Sequence, residues 1–242
     1  MEANLSTSPK KPLLSVIIPA YNERDTIAST IARVRQAQVS KEIVVVDDAS
    51  TDGTLEILEG LAGPDLTVLQ QPRNLGKGAA IRAAIPHIKG EIAIIQDADA
   101  EYDPAEYPRL IAPITSGEAQ VVYGSRFLTE GRSLRWPEGM RLANWLMNRL
   151  LALMANLLYG ARITDEATCY KVFRADILKS LPLECRRFEF CPEITAKLRR
   201  RDIPIVEVPI SYQARSTVQG KKINWKDGIQ AIWTLLRYRF GE

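Results

Sequence analysis

The sequence predicts an α/β fold in one continuous domain, a mostly parallel sheet flanked by helices with C-terminal helical additions. Three observations carry this. Short runs that are apolar at every position after the first recur at 15–18, 42–46, 67–69, 91–95 and 120–123. Between them lie segments with apolar residues at helical spacing. No Gly/Ser-rich linker interrupts the 242 residues. Strands apolar on both sides belong to sheets covered on both faces, and the intervening helices supply the crossovers that parallel neighbours need.

The first run stops at Pro19, and Ile27, Ile31 and Val34 then mark a helix. The second stops at Asp47-Asp48, after which Ser50 or Thr51 is expected to cap a helix carrying Leu55, Leu58 and Leu61. The run at 67–69 is the weakest; residues 73–78 form a loop that opens a helix through Ile81 and Ile85. The fourth run leads into Asp97-Ala98-Asp99, and Pro104 sits at a helix start, where proline costs no hydrogen bond. In the second half, residues 141–159 carry one stripe of Leu142, Leu146, Leu150, Leu153 and Leu157 and another of Met147, Leu151, Met154 and Leu158. A helix apolar around so much of its girdle is expected to be buried, with in-plane contact with a membrane as the alternative. Residues 168–173 and 205–212 read as further strands, the second confined to an edge by Pro204 and Pro209. Residues 225–240 close the chain as a helix with Ile229, Ile232, Trp233 and Leu236 inward and Lys226, Arg237 and Arg239 outward. Residues 1–12 read as a loose tail, leaving a domain over 13–242 with halves 13–125 and 126–242.

Composition narrows the function. With 32 basic and 29 acidic residues the net charge is +3, too small for a polyanion-binding signature, so no nucleic acid partner is expected. No run approaches the ~18 apolar residues of a spanning helix, and the first residues lack the apolar stretch of a signal peptide. Cys169, Cys185 and Cys191 form no C-x-x-C pair, which argues for a reducing, cytoplasmic setting. His87 is the only histidine, so a Ser-His-Asp triad or a histidine-rich metal centre is excluded in practice. Pro19-Ala20-Tyr21-Asn22-Glu23 is not G-x-G-x-x-G, and Asn74-Leu75-Gly76-Lys77-Gly78 is not a P-loop, so hydride transfer and nucleotide hydrolysis fall away.

In open α/β sheets ligands bind beyond the carboxyl ends of the strands. There the chain places Tyr21-Asn22-Glu23, Asp47-Asp48 and Asp97-Ala98-Asp99. Asp97, Asp99 and Glu101 gather negative charge that calls for a cation, and their oxygens suit Mg²⁺ or Mn²⁺ bridging to substrate phosphates. Asp47 and Asp48 can accept hydrogen bonds from a ribose or base, helix capping being the alternative. Gly76 and Gly78 either let backbone approach a ligand or form a turn before the helix.

Pro19 to Glu23, Asp47-Asp48-Ala49-Ser50-Thr51-Asp52-Gly53-Thr54, Asn74 to Gly78 and Asp97-Ala98-Asp99 resemble, in order and spacing, the nucleotide-sugar domain of inverting family 2 glycosyltransferases. Tyr123-Gly124-Ser125-Arg126, Thr164-Asp165 followed by Thr168-Cys169-Tyr170-Lys171, and Gly220-Lys221-Lys222 are similar to the dolichol-phosphate mannosyltransferase and dolichol-phosphate glucosyltransferase branch. The resemblance covers about 13–240 and implies a Rossmann-like GT-A fold, a GDP- or UDP-sugar donor, Mg²⁺ or Mn²⁺, and a polyprenyl (dolichyl or undecaprenyl) phosphate acceptor. It places the donor on Pro19, Ala20, Tyr21, Glu23 and Asp47, with Asp48, Gly76, Lys77, Asp97 and Ala98 completing the expected donor site. The metal falls on Asp97, Asp99 and Glu101, where many relatives have Gln in the last place. Arg126, Arg141, Lys221 and Lys222 fall where the family binds the acceptor phosphate, and Asp99, Asp165 and Arg126 are the expected catalytic residues. After Asp165 many relatives carry Met and Glu; this chain has Glu166 and Ala167.

The chemistry has its own logic. A phosphate monoester loses its second proton near pH ~6, so a lipid phosphate attacks without a general base and needs cations instead. A hydroxyl acceptor needs a carboxylate base, for which Asp165 is the candidate. That enzyme and a non-catalytic nucleotide-binding subunit are the two alternatives. Trp136, Trp145 and Arg149 suit an interface, so peripheral attachment to the cytoplasmic face of a membrane is expected. Tyr212 and Arg215, before Gly220, are expected to serve as a lid or as ordinary surface.

Overall fold

The computed structural model describes residues 11–131, 133–213 and 225–241. The strands are β1 (Leu14–Ala20), β2 (Lys41–Asp47), β3 (Leu66–Gln70), β4 (Ile92–Ile95), β5 (Val121–Ser125), β6 (Lys171–Arg174) and β7 (Val206–Pro209). The helices are α1 (Ile27–Gln36), α2 (Thr54–Leu61), α3 (Lys77–Ala84), α4 (Tyr107–Thr115), α5 (Leu142–Tyr159), α6 (Ala175–Ser180), α7 (Phe190–Arg199) and α8 (Trp225–Phe240). The sheet order is β3-β2-β1-β4-β6-β5-β7. β1 to β4 are parallel, β5 and β7 are parallel, and β6 alone runs antiparallel to β4 and β5. The expected edge strand is indeed β7. The direction of β6 was not legible, because an apolar run encodes burial and not polarity.

The core lies where the unbroken apolar runs put it. Val16, Ile17 and Ile18 of β1, Val44 and Val45 of β2 and Ile94 and Ile95 of β4 are fully buried. Each such side chain contributes about 1.5–3 kcal/mol on burial. The central strands are therefore rigid, and the loops at their carboxyl ends are held from below.

Three local expectations are corrected. Neither Ser50 nor Thr51 caps α2; Gly53 takes that position at φ 95°. The polar residues before it staple two loops instead: Ser50 Oγ accepts from Asn22 N at 2.9 Å and Thr51 N donates to Asn22 Oδ1 at 2.8 Å. In α8, Ile229 and Trp233 are exposed and not inward; Ala231, Thr234 and Leu235 are buried. The reason is close packing on α5, since a Cβ on Gly228 would lie 3.0 Å from Met147 and Tyr159 Oη donates to Leu235 O at 2.5 Å. In α5 the second stripe packs inward, whereas Leu142 to Leu157 of the first are between 42% and 76% exposed. Among the described residues no helix is long and apolar enough to cross a membrane.

Candidate active site

The carboxyl ends of β1, β2 and β4, the start of α3 and the inner faces of α5, α7 and α8 surround one cavity of about 740 Å³. Of the expected donor residues, Pro19, Ala20, Tyr21, Glu23, Asp48, Gly76, Lys77, Asp97 and Ala98 line it, as do Asp99, Glu101 and Arg126. The non-glycine residues Asn22, Ala49 and Ala100, in the loops after β1, β2 and β4, all have φ between 50° and 59°. Strained backbone of this kind concentrates at ligand sites.

Asp47 is fully buried beneath the lining; its Oδ2 accepts from Ser50 N at 3.0 Å and its Oδ1 has no partner. Asp48 accepts from Leu75 N at 2.7 Å and Gly76 N at 2.8 Å. It is thus the anchor of the 74–78 loop, and burial raises its pKa although both hydrogen bonds oppose this. The glycines have a structural reason: Gly78 N and Ala79 N donate to the carbonyls of Arg187 and Arg186 at 3.1 and 3.0 Å. A Cβ on Gly76, whose φ is 95°, would overlap the Arg186 carbonyl oxygen. Gly76→Ala is expected to cost about 2–4 kcal/mol, adding left-handed strain to overpacking, read as a lowered urea midpoint.

At the end of β4, Lys77 Nζ lies 2.5 Å from Asp97 Oδ1 and 3.7 Å from Cys169 Sγ. Burial would lower the Lys77 pKa, but Asp97 and the neighbouring thiols reverse this, and it is raised. Asp99 Oδ1 accepts from Glu101 N at 3.2 Å, and Glu101 Oε2 accepts from Tyr212 Oη at 2.9 Å. Among the described residues no three His, Cys, Asp or Glu side chains already converge on a metal position. Hard-oxygen carboxylates that draw a lysine to one of their number nevertheless fit a cation that completes its shell with water and phosphate.

On another wall, Arg126 forms a bidentate pair with Asp165, Nε to Oδ2 and Nη2 to Oδ1 both at 2.7 Å, and Nη2 reaches Asn148 Oδ1 at 3.3 Å. Burial lowers the Arg126 pKa, yet Asp165 more than restores it, so the guanidinium is a permanent cation. Asp165 is fully buried and does not line the cavity, and both its oxygens accept from Arg126. Arg141 is exposed at the start of α5 and does not itself line the cavity, although its neighbours Met140 and Ala143 do. Lys221, Lys222 and Arg215 lie outside the described residues; Tyr212 lines the cavity with its ring 5.1 Å from the Arg126 guanidinium carbon.

Sequence reasoning missed Asn148, Glu166, Arg187 and Phe190, all of which line the cavity. Asn148 had a signal, as a polar residue among the leucines of α5 and four residues after Asn144. Arg187 and Phe190 had none, because they come from a loop and a helix start without periodicity.

Behind this wall two carboxyls are displaced upward by burial, Glu166 to about 8 and Glu207 to about 7. Glu207 nonetheless accepts from Thr164 N at 2.8 Å and Asp165 N at 3.0 Å. Carboxyls that hold their protons more tightly folded than unfolded stabilise the fold fully below pH ~4.5 and lose that contribution as pH rises through 7 to 8. Stability is expected to fall by about 2 kcal/mol or more between pH 5 and 8, and Glu166→Gln is expected to flatten the slope in urea titrations at several pH values.

Residues 15–181 match the Glycosyl transferase family 2 model. The chain is 30% identical over 245 residues to the undecaprenyl-phosphate mannosyltransferase of Micrococcus luteus, covering 93% of this chain and 98% of that one. It is 34% identical to the low-salt glycan biosynthesis hexosyltransferase Agl6 of Haloferax volcanii, over 84% of this chain and 48% of the relative. With the polyprenol monophosphomannose synthase of Mycolicibacterium smegmatis identity is 31%, covering 83% and 77%. Among solved structures, glucosyl-3-phosphoglycerate synthase from Mycobacterium tuberculosis with uridine diphosphate superposes with a TM-score of 0.70 at 23% identity, over 94% of this chain and 80% of that one. The matched segment runs from the first central strand through α6 and contains the acidic strand ends and Arg126, and on these grounds the chain is a glycosyltransferase of the GT-A fold that belongs to family 2.

Proposed function

We propose that the enzyme transfers a monosaccharide, with inversion, from a GDP- or UDP-sugar to a polyprenyl phosphate at the cytoplasmic face of a membrane, with Mg²⁺ or Mn²⁺. The observation that carries this is the joining of two opposite charge environments in one cavity: Asp97 and Asp99 at one wall, and Arg126 held rigidly by Asp165 at another. Asp97 and Asp99 would hold the metal, which neutralises the departing nucleotide diphosphate. Lys77 contributes a second positive charge at that end. Arg126 orients the lipid phosphate by its planar fork and screens its charge as it approaches the sugar carbon. Asp165 cannot also be a base while both oxygens bind Arg126, which favours the already ionised phosphate over a hydroxyl acceptor. The relatives named for undecaprenyl and polyprenol phosphates support the acceptor class.

The position of α5 supports the membrane contact. Ala143, Asn144, Met147 and Asn148 line the cavity, while the exposed leucine stripe follows another face of the same helix. Trp136 and Trp145 stack at its start with ring centroids 5.1 Å apart. A prenyl chain leaving the cavity thus meets an apolar surface at once.

The test is a transfer assay with labelled GDP-mannose or UDP-glucose, Mg²⁺ or Mn²⁺, and undecaprenyl or dolichyl phosphate. Metal-dependent label in the organic phase is expected from one donor; label only in a water-soluble product would replace the acceptor. In the same preparation the protein is expected to float with anionic liposomes, and Leu150→Glu with Leu153→Glu to abolish flotation.

A further inference from the structure

The Arg126 fork is fixed by Asp165, and the place of Asp165 depends in turn on the course of the backbone at 163–165. That segment lies in no helix or strand, so its peptide groups need partners other than a ladder. Two of α5's side chains supply some of them. Asn156 donates to Ile163 O and accepts from Ile163 N, both at 2.8 Å, and Arg149 Nη1 donates to Thr164 O at 3.1 Å. The N–H groups of Thr164 and Asp165 both go to Glu207 instead. Its Oε1 accepts from them at 2.8 and 3.0 Å, and its Oε2 accepts from Thr164 Oγ1 at 2.8 Å. Thr164 Oγ1 is also bonded at 2.7 Å to Ser125 Oγ, the residue before Arg126.

Glu207 is out of place as a strand residue. It stands between Val206 and Val208 in β7, opposite Tyr123 of β5. It does not line the cavity. Burial, with the charge of Asp165 beside it, pushes its carboxyl up to about 7. An apolar side chain would suit the strand without that cost. Residues that break a local rule in this way concentrate where function requires them.

We infer that Glu207 is a positioning residue for transfer: by binding both N–H groups of the Thr164–Asp165 segment it holds the Asp165 carboxylate where it aims the Arg126 fork at the acceptor phosphate. The inference rests on the reading of Arg126 as the acceptor-phosphate ligand, and extends that site back to the edge strand. Bidentate recognition depends on the plane of the guanidinium, so a small shift of Asp165 loses one of two parallel bonds to the phosphate. A site whose supporting hydrogen bonds are loosened keeps its residues and loses its geometry.

The test is steady-state transfer by the full-length protein, with undecaprenyl phosphate and the preferred donor varied separately, alongside nucleoside diphosphate affinity. Glu207→Leu keeps the bulk and removes both acceptors. It is expected to raise KM for the lipid phosphate about tenfold, with donor KM and nucleoside diphosphate affinity within about twofold. Glu207→Gln keeps an oxygen for the two N–H groups and is expected to restore that KM to within about threefold. Beside Arg126→Lys, where no fork remains to be aimed, the effect of Glu207→Leu is expected to shrink to within about twofold. A merely structural role would impair donor and acceptor use alike and would add to Arg126→Lys. Should Glu207→Leu fail to bind nucleotide, Glu207→Asp decides; it keeps the charge, draws the oxygens back, and is expected to raise the same KM about fivefold. An unchanged acceptor KM in whichever of these two binds nucleotide, no rescue by Glu207→Gln, or an undiminished effect beside Arg126→Lys overturns the positioning role and leaves the acceptor site standing. If Arg126→Lys alone leaves the acceptor KM unchanged, the acceptor site falls and the positioning role with it.

Discussion

Arg126→Ala is expected to destabilise the protein by about 3–5 kcal/mol and to lower transfer by about 10²–10³-fold in whatever fraction folds. The stability loss follows from the partner left behind. Asp165 is fully buried, and its side chain accepts from Arg126 through N, Nε and Nη2. Removal of the guanidinium leaves this buried carboxylate with only the backbone N–H of residue 126, of its three bonds to that residue, against its desolvation. The expected activity loss has a separate origin, the cation that Arg126 presents to the cavity and that is proposed to bind the acceptor phosphate. Arg126→Ala combined with Asp165→Ala separates the two, because it removes both charges together; it is expected to recover much of the stability and none of the activity. Arg126→Lys keeps charge but not the fork, so it is expected to lose activity through a raised KM for the lipid phosphate. Urea unfolding with transfer kinetics on the same preparations reads both quantities. Full activity in a folded Arg126→Ala variant would remove Arg126 from the acceptor site.

The cavity wall at the ends of β1, β2 and β4, where the nucleotide is proposed to bind, is legible in the sequence because its residues are tied to strands. An apolar run that ends abruptly in Asp47-Asp48 or Asp97-Ala98-Asp99 fixes both the element and the end of it that faces the ligand. The acceptor half was only partly legible. Asp165 reads from the sequence as a free carboxylate, and only the fold brings Arg126, 39 positions away, onto both its oxygens. Gly76 and Gly78 read equally as ligand-approach residues; their tight contact is in fact with Arg186 and Arg187, in a loop more than a hundred positions further on. In α5 the sequence gives two apolar stripes of similar strength, and only the tertiary contacts decide that Leu151 is buried and Leu157 exposed. Long-range pairing, invisible to local periodicity, is the common cause.

Asp99→Ala is expected to lower transfer by about a thousandfold, since charge stabilisation by a bound metal is worth several kcal/mol and each 1.4 kcal/mol is about tenfold. The fold is expected to survive, because Asp99 is a cavity-wall residue in the loop after β4 and not part of the sheet. Lys77 offers the sharper comparison. Its Nζ already sits 2.5 Å from Asp97, so a diphosphate entering beside it gains a cation that must be shared between two anions. Lys77→Met is therefore expected to weaken nucleoside diphosphate binding, by about tenfold at moderate salt, while leaving the metal requirement in place. Asp99→Ala is expected to abolish the metal-dependent part of that binding. Calorimetric titration of each variant with and without Mn²⁺ separates these outcomes. If Asp99→Ala binds nucleotide with undiminished metal dependence and transfers at the original rate, the acidic strand end is not the metal site. If instead Lys77→Met binds more tightly, the lysine is a competitor of the metal for Asp97 and not a ligand of the diphosphate, and the positive charge that balances the leaving group must come from elsewhere in the cavity.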